Sequence, residues 1–297
     1  MTLALWIPAT LAAAAAQTAR NTMQRQLTET LGTVGATQVR FLYGLPFALL
    51  FLPLVLGLTG EALPPPTHGF MGFVLMGAVT QVLATALMLA AMRERSFSLV
   101  IAYTKTEPVQ VALFGLAVLG DRLTLMPAVA IVIATLGVLV TSLKPGGETG
   151  SARPVLLGIA AGAFFALAAT SFRGATLTLE SASFAVRATT TLVWGLAIQT
   201  VLLLLWLVIF NRAALIGSLR HWRPSLLAGF LGALASQFWY IGFALTSAAN
   251  VRTLALVEVP LAYGVSYAVF GQRSSRREIA GMALIAIGVG LLLLTQG

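Results

Sequence analysis

Five ionisable side chains lie at least three residues inside long apolar runs of this sequence: Arg40, Lys105, Glu107, Arg187 and Glu258. A charge in the hydrocarbon core of a bilayer costs roughly 2.5–3.5 kcal/mol on insertion scales, so such residues are candidates for function. Guanidinium groups can hold a carboxylate or phosphate by forked hydrogen bonds. A carboxylate at that depth can exchange a proton or meet a cation. These residue types therefore favour ligand binding or proton handling over covalent chemistry.

Glu107 lies near the middle of its apolar run. Three interpretations of its role stay open. It can couple to a proton, pair with a cationic ligand, or form a structural ion pair with Lys105, Arg40 or another helix. Lys105 and Glu107 are two residues apart, so they lie on different helix faces and each should meet a partner elsewhere. Arg40 and Arg187 lie near the beginnings of their runs, where they can hold an anion or reach the interface as anchors.

Two prolines and two aromatic residues accompany the charges. Pro108 follows Glu107 directly, and Pro260 lies in a later apolar run. Proline removes a backbone donor and disturbs the preceding turn, so both are predicted hinges, with stable packing kinks as the alternative. Tyr103, four residues before Glu107, and Trp239 are the aromatic side chains expected to contact a ligand. Packing or contact with lipid is the alternative for both.

The composition indicates which elements must position these residues. Of 297 residues, 58% are hydrophobic and 9% charged, whereas soluble domains average about 25% charged. The mean hydropathy is +0.93. We therefore predict an all-α multi-pass membrane protein and exclude soluble, secreted and disordered classes. Ten apolar runs are long enough to span a bilayer as helices: 3–19, 36–58, 69–92, 97–119, 125–143, 155–172, 184–210, 225–247, 251–270 and 278–295.

Several kinds of chemistry are missing from the sequence. There is no Cys and there are two His, which leaves few ligands for a metal. No Ser/His/Asp set and no GxxxxGK[ST] phosphate loop is present, so we expect no enzyme activity, no cofactor and no metal. The net charge is +9, but Lys and Arg separate the apolar runs instead of forming one basic face. We expect the partners to be a lipid bilayer and a small molecule, without nucleic acid.

The distribution of basic residues predicts an orientation. Twelve Lys and Arg residues lie in the connections after the first, third, fifth, seventh and ninth runs, and three lie in the other connections. Cytoplasmic connections carry the excess of Lys and Arg, so this count places both termini outside the cytoplasm.

The ten runs divide into two similar halves, 1–143 and 155–297, joined by a linker at 144–154. Each half holds five runs, an odd number, so the halves must insert with opposite orientation. Inverted repeats are common in secondary transporters, whose sites lie near the midplane between the halves. The recurring patterns include Val39-Arg40 with Val186-Arg187, Pro108 with Pro260, and Gly120-Asp121-Arg122 with Gly271-Gln272-Arg273.

An ordered set of motifs resembles a known family. Gly120-Asp121-Arg122-Leu123-Thr124, followed by Leu136-Gly137-Val138-Leu139, resembles the "GERLT … GVLL" signature of the EamA branch of the drug/metabolite transporter superfamily. Three further elements resemble its "LRF" and "EPV" motifs: Val39-Arg40-Phe41, Thr106-Glu107-Pro108-Val109 and Val257-Glu258-Val259-Pro260. The second half departs from the signature at Gln272 and Ser274-Ser275. The resemblance implies ten helices in two inverted five-helix repeats, transport of small metabolites, and termini inside the cell.

Together these features predict a secondary transporter in the inner (cytoplasmic) membrane. The five charges within the runs sum to +1, which favours a small polar, anionic or zwitterionic metabolite, such as an amino acid, as the substrate. We expect export by alternating access. The proton is the expected coupling ion, and a monomer is expected because a fused repeat can complete a cavity alone. One alternative is a proton-coupled exporter of drugs or lipophilic cations. Another is a membrane scaffold or a membrane-embedded lipid-modifying enzyme.

Overall fold

The computed structural model describes residues 5–94, 97–142, 153–179, 181–260 and 275–295. Helices joined by short turns make up this part of the chain, and it contains no β-strand. The helices are α1 (Trp6–Leu42), α2 (Leu45–Thr59), α3 (His68–Glu94), α4 (Phe97–Thr104), α5 (Glu107–Phe114), α6 (Leu125–Ser142), α7 (Arg153–Leu177), α8 (Phe184–Phe210), α9 (Arg212–Arg220), α10 (Trp222–Leu245), α11 (Ala248–Leu254) and α12 (Arg276–Leu294).

Length and hydropathy make these helices suitable for a bilayer. Six stretches of the described residues are long and apolar enough to cross one, and two shorter helices are also apolar. Large apolar side chains face outward, as at Leu58 with 79% of its surface exposed, whereas Arg20 in the interior is 1% exposed. A water-soluble protein shows the opposite arrangement. The prediction of an all-α membrane protein is confirmed.

The chain reverses direction at Gly32, within α1. Gly32 has φ 69° and ψ 174°, a conformation that side chains disfavour. Gln24 Nε2 donates to the backbone oxygen of Ala36 at 2.9 Å, although a straight helix would separate these residues by about 18 Å. α1 is therefore a hairpin of segments 6–31 and 33–42. The predicted connection from Arg20 to Gly35 is wrong, because helix fills it.

The helices run between two faces of the bundle. We call one the Asp121 face; it carries residues 60–67, 120–124, 178–179, 181–183 and 246–247. On this face the backbone N–H of Ser183 donates to Glu61 Oε2 at 2.8 Å. We call the other the Gly32 face; it carries the turn at Gly32 and the helix α9. Residues 211–224 were expected to form a loop, but Asn211 Oδ1 accepts from Ala214 N and caps α9, which continues to Arg220.

The last spans of the two halves, α6 and α12, pack backbone against backbone. A Cβ atom at Gly281 would lie 2.7 Å from Gly137 O, and one at Gly288 would lie 2.6 Å from Ala134 N. Small residues allow helices in a membrane to approach this closely. This contact therefore joins the first half to the second across their equivalent helices.

Candidate functional site

Six charged side chains meet in the interior of the bundle, and we call them the charged cluster. They come from the two helical segments of the α1 hairpin, from the α4–α5 junction, and from α11 together with residues 255–258 that follow it. The members are Arg20, Arg40, Lys105, Glu107, Arg252 and Glu258. The first five are each at most 8% exposed, and the Glu258 side chain is 16% exposed. Charges this deeply buried must be paired or hydrogen-bonded to be tolerated.

The break between α4 and α5 positions Lys105 and Glu107. α4 ends at Thr104, and the Thr106 N–H bonds the Tyr103 oxygen instead of continuing the α-helical ladder. Glu107 is the first residue of α5 and Pro108 the second, a place where the missing N–H of proline costs nothing. Pro108 therefore begins a helix and does not kink a continuous one.

The break also changes the position of Tyr103. One continuous helix would place Tyr103 and Glu107 on the same face, but the break puts them on different helices. Tyr103 packs against α7, where a Cβ atom at Gly158 would lie 2.7 Å from the Tyr103 Cβ. Its ring is half-buried at this helix contact.

Lys105 pairs with Glu258. The ammonium Nζ lies in direct contact with Glu258 Oε1. The second carboxylate oxygen, Oε2, accepts a hydrogen bond from the Thr18 hydroxyl at 3.3 Å. This pair joins the α4–α5 break to the chain after α11, so it crosses between the halves.

Glu107 pairs with Arg252 on α11. Glu107 Oε1 and Arg252 Nε are 3.0 Å apart, but neither atom makes a hydrogen bond within the described part of the chain. The Arg252 guanidinium lies 4.4 Å from the centroid of the Trp239 ring, a favourable cation–π distance. The Trp239 indole N–H donates to Gln17 Oε1 at 3.1 Å, which fixes the ring under the cation.

Arg20 and Arg40 form the remaining part of the charged cluster. Arg20 Nη2 donates to Asn21 Oδ1 at 2.7 Å, and Arg40 Nη1 donates to the Thr85 hydroxyl at 3.0 Å. Arg20 interacts electrostatically with Arg40, Arg252 and Glu258. Arg20 and Arg40 have no carboxylate at ion-pair distance among the residues described.

Two predicted site residues, Arg187 and Pro260, remain to be placed. Arg187 is half-buried near the beginning of α8, where its Nη2 donates to the Ala244 oxygen at 3.4 Å. Pro260 is the last described residue before a gap, and the chain beyond it lies outside the described residues. No group of three or more His, Cys, Asp or Glu residues able to hold a metal occurs in the described ranges.

A further ion pair, between Arg173 and Asp121, lies on the Asp121 face. Arg173 of α7 approaches both carboxylate oxygens of Asp121, at 3.3 and 3.2 Å. Its Nη1 also donates to the backbone oxygens of Phe243 and Thr246. Arg173 therefore joins α7 to the connections at 120–124 and 246–247.

Sequence reasoning did not include Arg20 or Arg252 among the candidate residues, because Arg20 was assigned to a connection and Arg252 to the end of the run 251–270. A signal for Arg20 was present: Gln17, Arg20 and Gln24 follow one another at spacings of three and four, which place them on one helix face. A polar stripe that continues an apolar helix indicates a helix buried in protein, not a loop. For Arg252 the signal was its place as the second residue of the run 251–270, but its partner is 145 residues away and no local pattern identifies it.

Comparison with known proteins gives two matches, one to a family and one to a solved structure. The model of the EamA-like transporter family matches residues 4–143 and 153–294. A solved crystal structure of a protein aligns with 99% of this chain and 98% of its own, with a TM-score of 0.67 and 15% identity. At that identity the likeness concerns the fold alone. No curated protein matches the chain significantly.

Proposed function

Because this chain belongs to the EamA-like transporter family, a family of membrane transporters and not of enzymes, we propose that it carries a small anionic or zwitterionic metabolite, such as an amino acid. The observation that supports this class is the charged cluster, in which four cations surround two carboxylates. A buried excess of positive charge attracts an anionic group and repels a cation. The carboxylates of the same cluster can meet the ammonium group of a zwitterion.

The proposed mechanism is alternating access. Both ion pairs of the charged cluster connect the first half of the chain to the second. Arg173 fastens connections of both halves on the Asp121 face. Rocking of one half against the other around a central site would have to rearrange these contacts, as in other inverted-repeat transporters. Substrate that replaces part of an ion pair lowers the cost of that rearrangement.

The proposal also covers the direction of transport, the coupling ion and the oligomeric state. We propose export across the inner (cytoplasmic) membrane by a monomer, with a proton as coupling ion. Glu107 is the candidate proton carrier, because it is buried and its protonation would release the ion pair with Arg252. The alternative of a lipophilic-cation exporter fits the surplus of positive charge less well. A scaffold or lipid-modifying enzyme is disfavoured by the family.

Transport by the purified protein in proteoliposomes tests the proposal. We expect counterflow of an anionic or zwitterionic solute in wild type and reduced transport in Glu107→Gln, with the protein still inserted and folded. Glu29→Gln is the matched control, because Glu29 is an exposed carboxylate near the Gly32 face. Transport of lipophilic cations alone would contradict the substrate class. Unchanged transport in Glu107→Gln would remove Glu107 from the mechanism.

A further inference from the structure

The charged cluster contains two more cations than carboxylates. Arg20, Arg40, Lys105 and Arg252 face only Glu107 and Glu258. The chain has nine acidic residues. Five of the others are described and are engaged or exposed elsewhere: Glu29, Glu61, Glu94, Asp121 and Glu278. Glu148 and Glu180 lie outside the described residues. Within the described chain, the excess of two positive charges has no protein counterion.

The excess is concentrated on Arg20 and Arg40, because the other two cations are each paired. Arg20 Nε and Nη1 and Arg40 Nε are buried without a hydrogen-bond partner in the part of the chain that is described. The two side chains lie together against Gly232, where a Cβ atom would be 3.3 Å from Arg40 Cγ and 3.4 Å from Arg20 Cδ. Buried N–H donors without a partner are costly, so this half of the cluster is suited to an acceptor from a ligand.

We infer that Arg20 and Arg40 bind a ligand group with two negative charges, of the class of a phosphate monoester or a dicarboxylate. This inference rests on the proposed function and narrows its substrate class. A dianion makes the charged cluster neutral, whereas a monoanion leaves one uncompensated buried charge and a zwitterion leaves two. Guanidinium groups match the oxygens of phosphate and carboxylate in geometry as well as in charge.

Ligand-dependent thermal stability of the full chain in detergent tests the inference, because binding to the folded state raises the Tm. The probes are inorganic phosphate, succinate, acetate, chloride and glycine at equal ionic strength and at pH about 8, where phosphate is mainly a dianion. We expect phosphate or succinate to raise the Tm and the other three to have little effect. A larger rise in Tm with phosphate than with succinate would indicate a phosphate ester, and the reverse would indicate a dicarboxylate. Equal stabilisation by acetate, chloride or glycine would overturn the inference.

Changing the charge of the cluster provides a second test. Arg20→Gln reduces the excess to one, so we expect the affinity for the dianion to fall about 100-fold and acetate to become the better ligand. Arg40→Gln should likewise change the preferred ligand from the dianion to acetate. It replaces Arg20→Gln in the test if that variant does not fold. Arg220→Gln, an exposed arginine on α9, is the matched control and should keep the wild-type preference.

The outcomes separate this inference from the proposed function. If the protein transports zwitterions and Arg20→Gln leaves their transport unchanged, the dianion inference is wrong and the proposed function stands. If only lipophilic cations bind and are transported, both are wrong. Phosphate or succinate binding that disappears in Arg20→Gln and persists in Arg220→Gln supports both.

Discussion

Glu107 and Arg252 connect the two halves of the chain through an ion pair of 3.0 Å. Lys105 and Glu258 form a second connection with the signs exchanged, since here the first half supplies the cation. The two pairs lie in the same region of the interior, where Glu107 interacts electrostatically with Lys105 and Glu258 as well as with Arg252. A movement of one half against the other would change both contacts at once. They are therefore the contacts at which substrate binding and movement of the halves would be coupled.

Exchanging the charges of Lys105 and Glu258 tests their direct contact. Lys105→Glu and Glu258→Lys alone should each destabilise the protein by about 3–5 kcal/mol, because each leaves like charges together in the interior. The double variant should recover most of this loss, since it restores the pair in reverse. The free energy of unfolding of all four forms gives the coupling. Additive losses in the double variant would show that the two residues do not interact.

Packing of α6 against α12 depends on Gly288. Gly288→Ala places a Cβ atom 2.6 Å from Ala134 N and 2.7 Å from Ala130 O, and backbone atoms cannot move aside independently. We expect a loss of about 1–3 kcal/mol, measured as a lower Tm in detergent. Gly290→Ala on the same helix is the control, because no atom lies within 4 Å of its added Cβ. A similar Tm for the two variants would contradict the close contact.

Asp121 holds Arg173, and its loss should open the Asp121 face. The chain has no Cys, so Ala249→Cys provides a single label site, which is 7% exposed beside a cavity of about 260 Å³. Adding Asp121→Asn should raise the rate of thiol labelling about tenfold, because a charge-assisted contact is lost. Arg122→Gln, the exposed neighbouring residue, is the control and should leave the rate unchanged. An equal rate in both backgrounds would show that Arg173 does not close this face.

Glu61 should make stability depend on pH at the Asp121 face. Hydrogen bonding by Ser183, from its side chain and its backbone N–H, holds the pKa of Glu61 below its usual value. A carboxyl whose folded pKa is depressed stabilises the protein above its unfolded pKa of about 4.3, and the stabilisation disappears as pH falls through the folded value. Wild type should therefore melt above Glu61→Gln near neutral pH and converge with it in acid. A constant difference in Tm at every pH would contradict this.

The exposed basic residues predict an orientation. Within the described part of the chain, six exposed arginines lie on the side of the Gly32 face, at Arg93, Arg153, Arg212, Arg220, Arg223 and Arg276, and Arg122 lies on the side of the Asp121 face. This excess predicts that the Gly32 face is cytoplasmic and that both termini are outside. A C-terminal fusion to a reporter active only outside the cytoplasm should be active. An inactive fusion would support the family's usual arrangement, with termini inside.

The sequence by itself determined the class of the protein and its family. Composition and the length of apolar runs are local properties, so an all-α membrane protein could be predicted without knowing any contact. The motifs around Asp121 and Glu107 are also local, and they were sufficient to indicate the EamA-like family. The same local reasoning identified Lys105, Glu107 and Glu258 as unusual, because a charge within an apolar run is visible in the sequence.

Only the tertiary structure decided which charges meet. Arg20 belongs to the interior because the chain reverses at the single residue Gly32, and a one-residue turn inside a helical stretch has no length or composition that marks it. Arg252 and Glu107 are 145 residues apart, and their contact depends on how two oppositely inserted halves pack. The excess of two positive charges is therefore a property of the fold, because it results from distances in space that no local pattern contains.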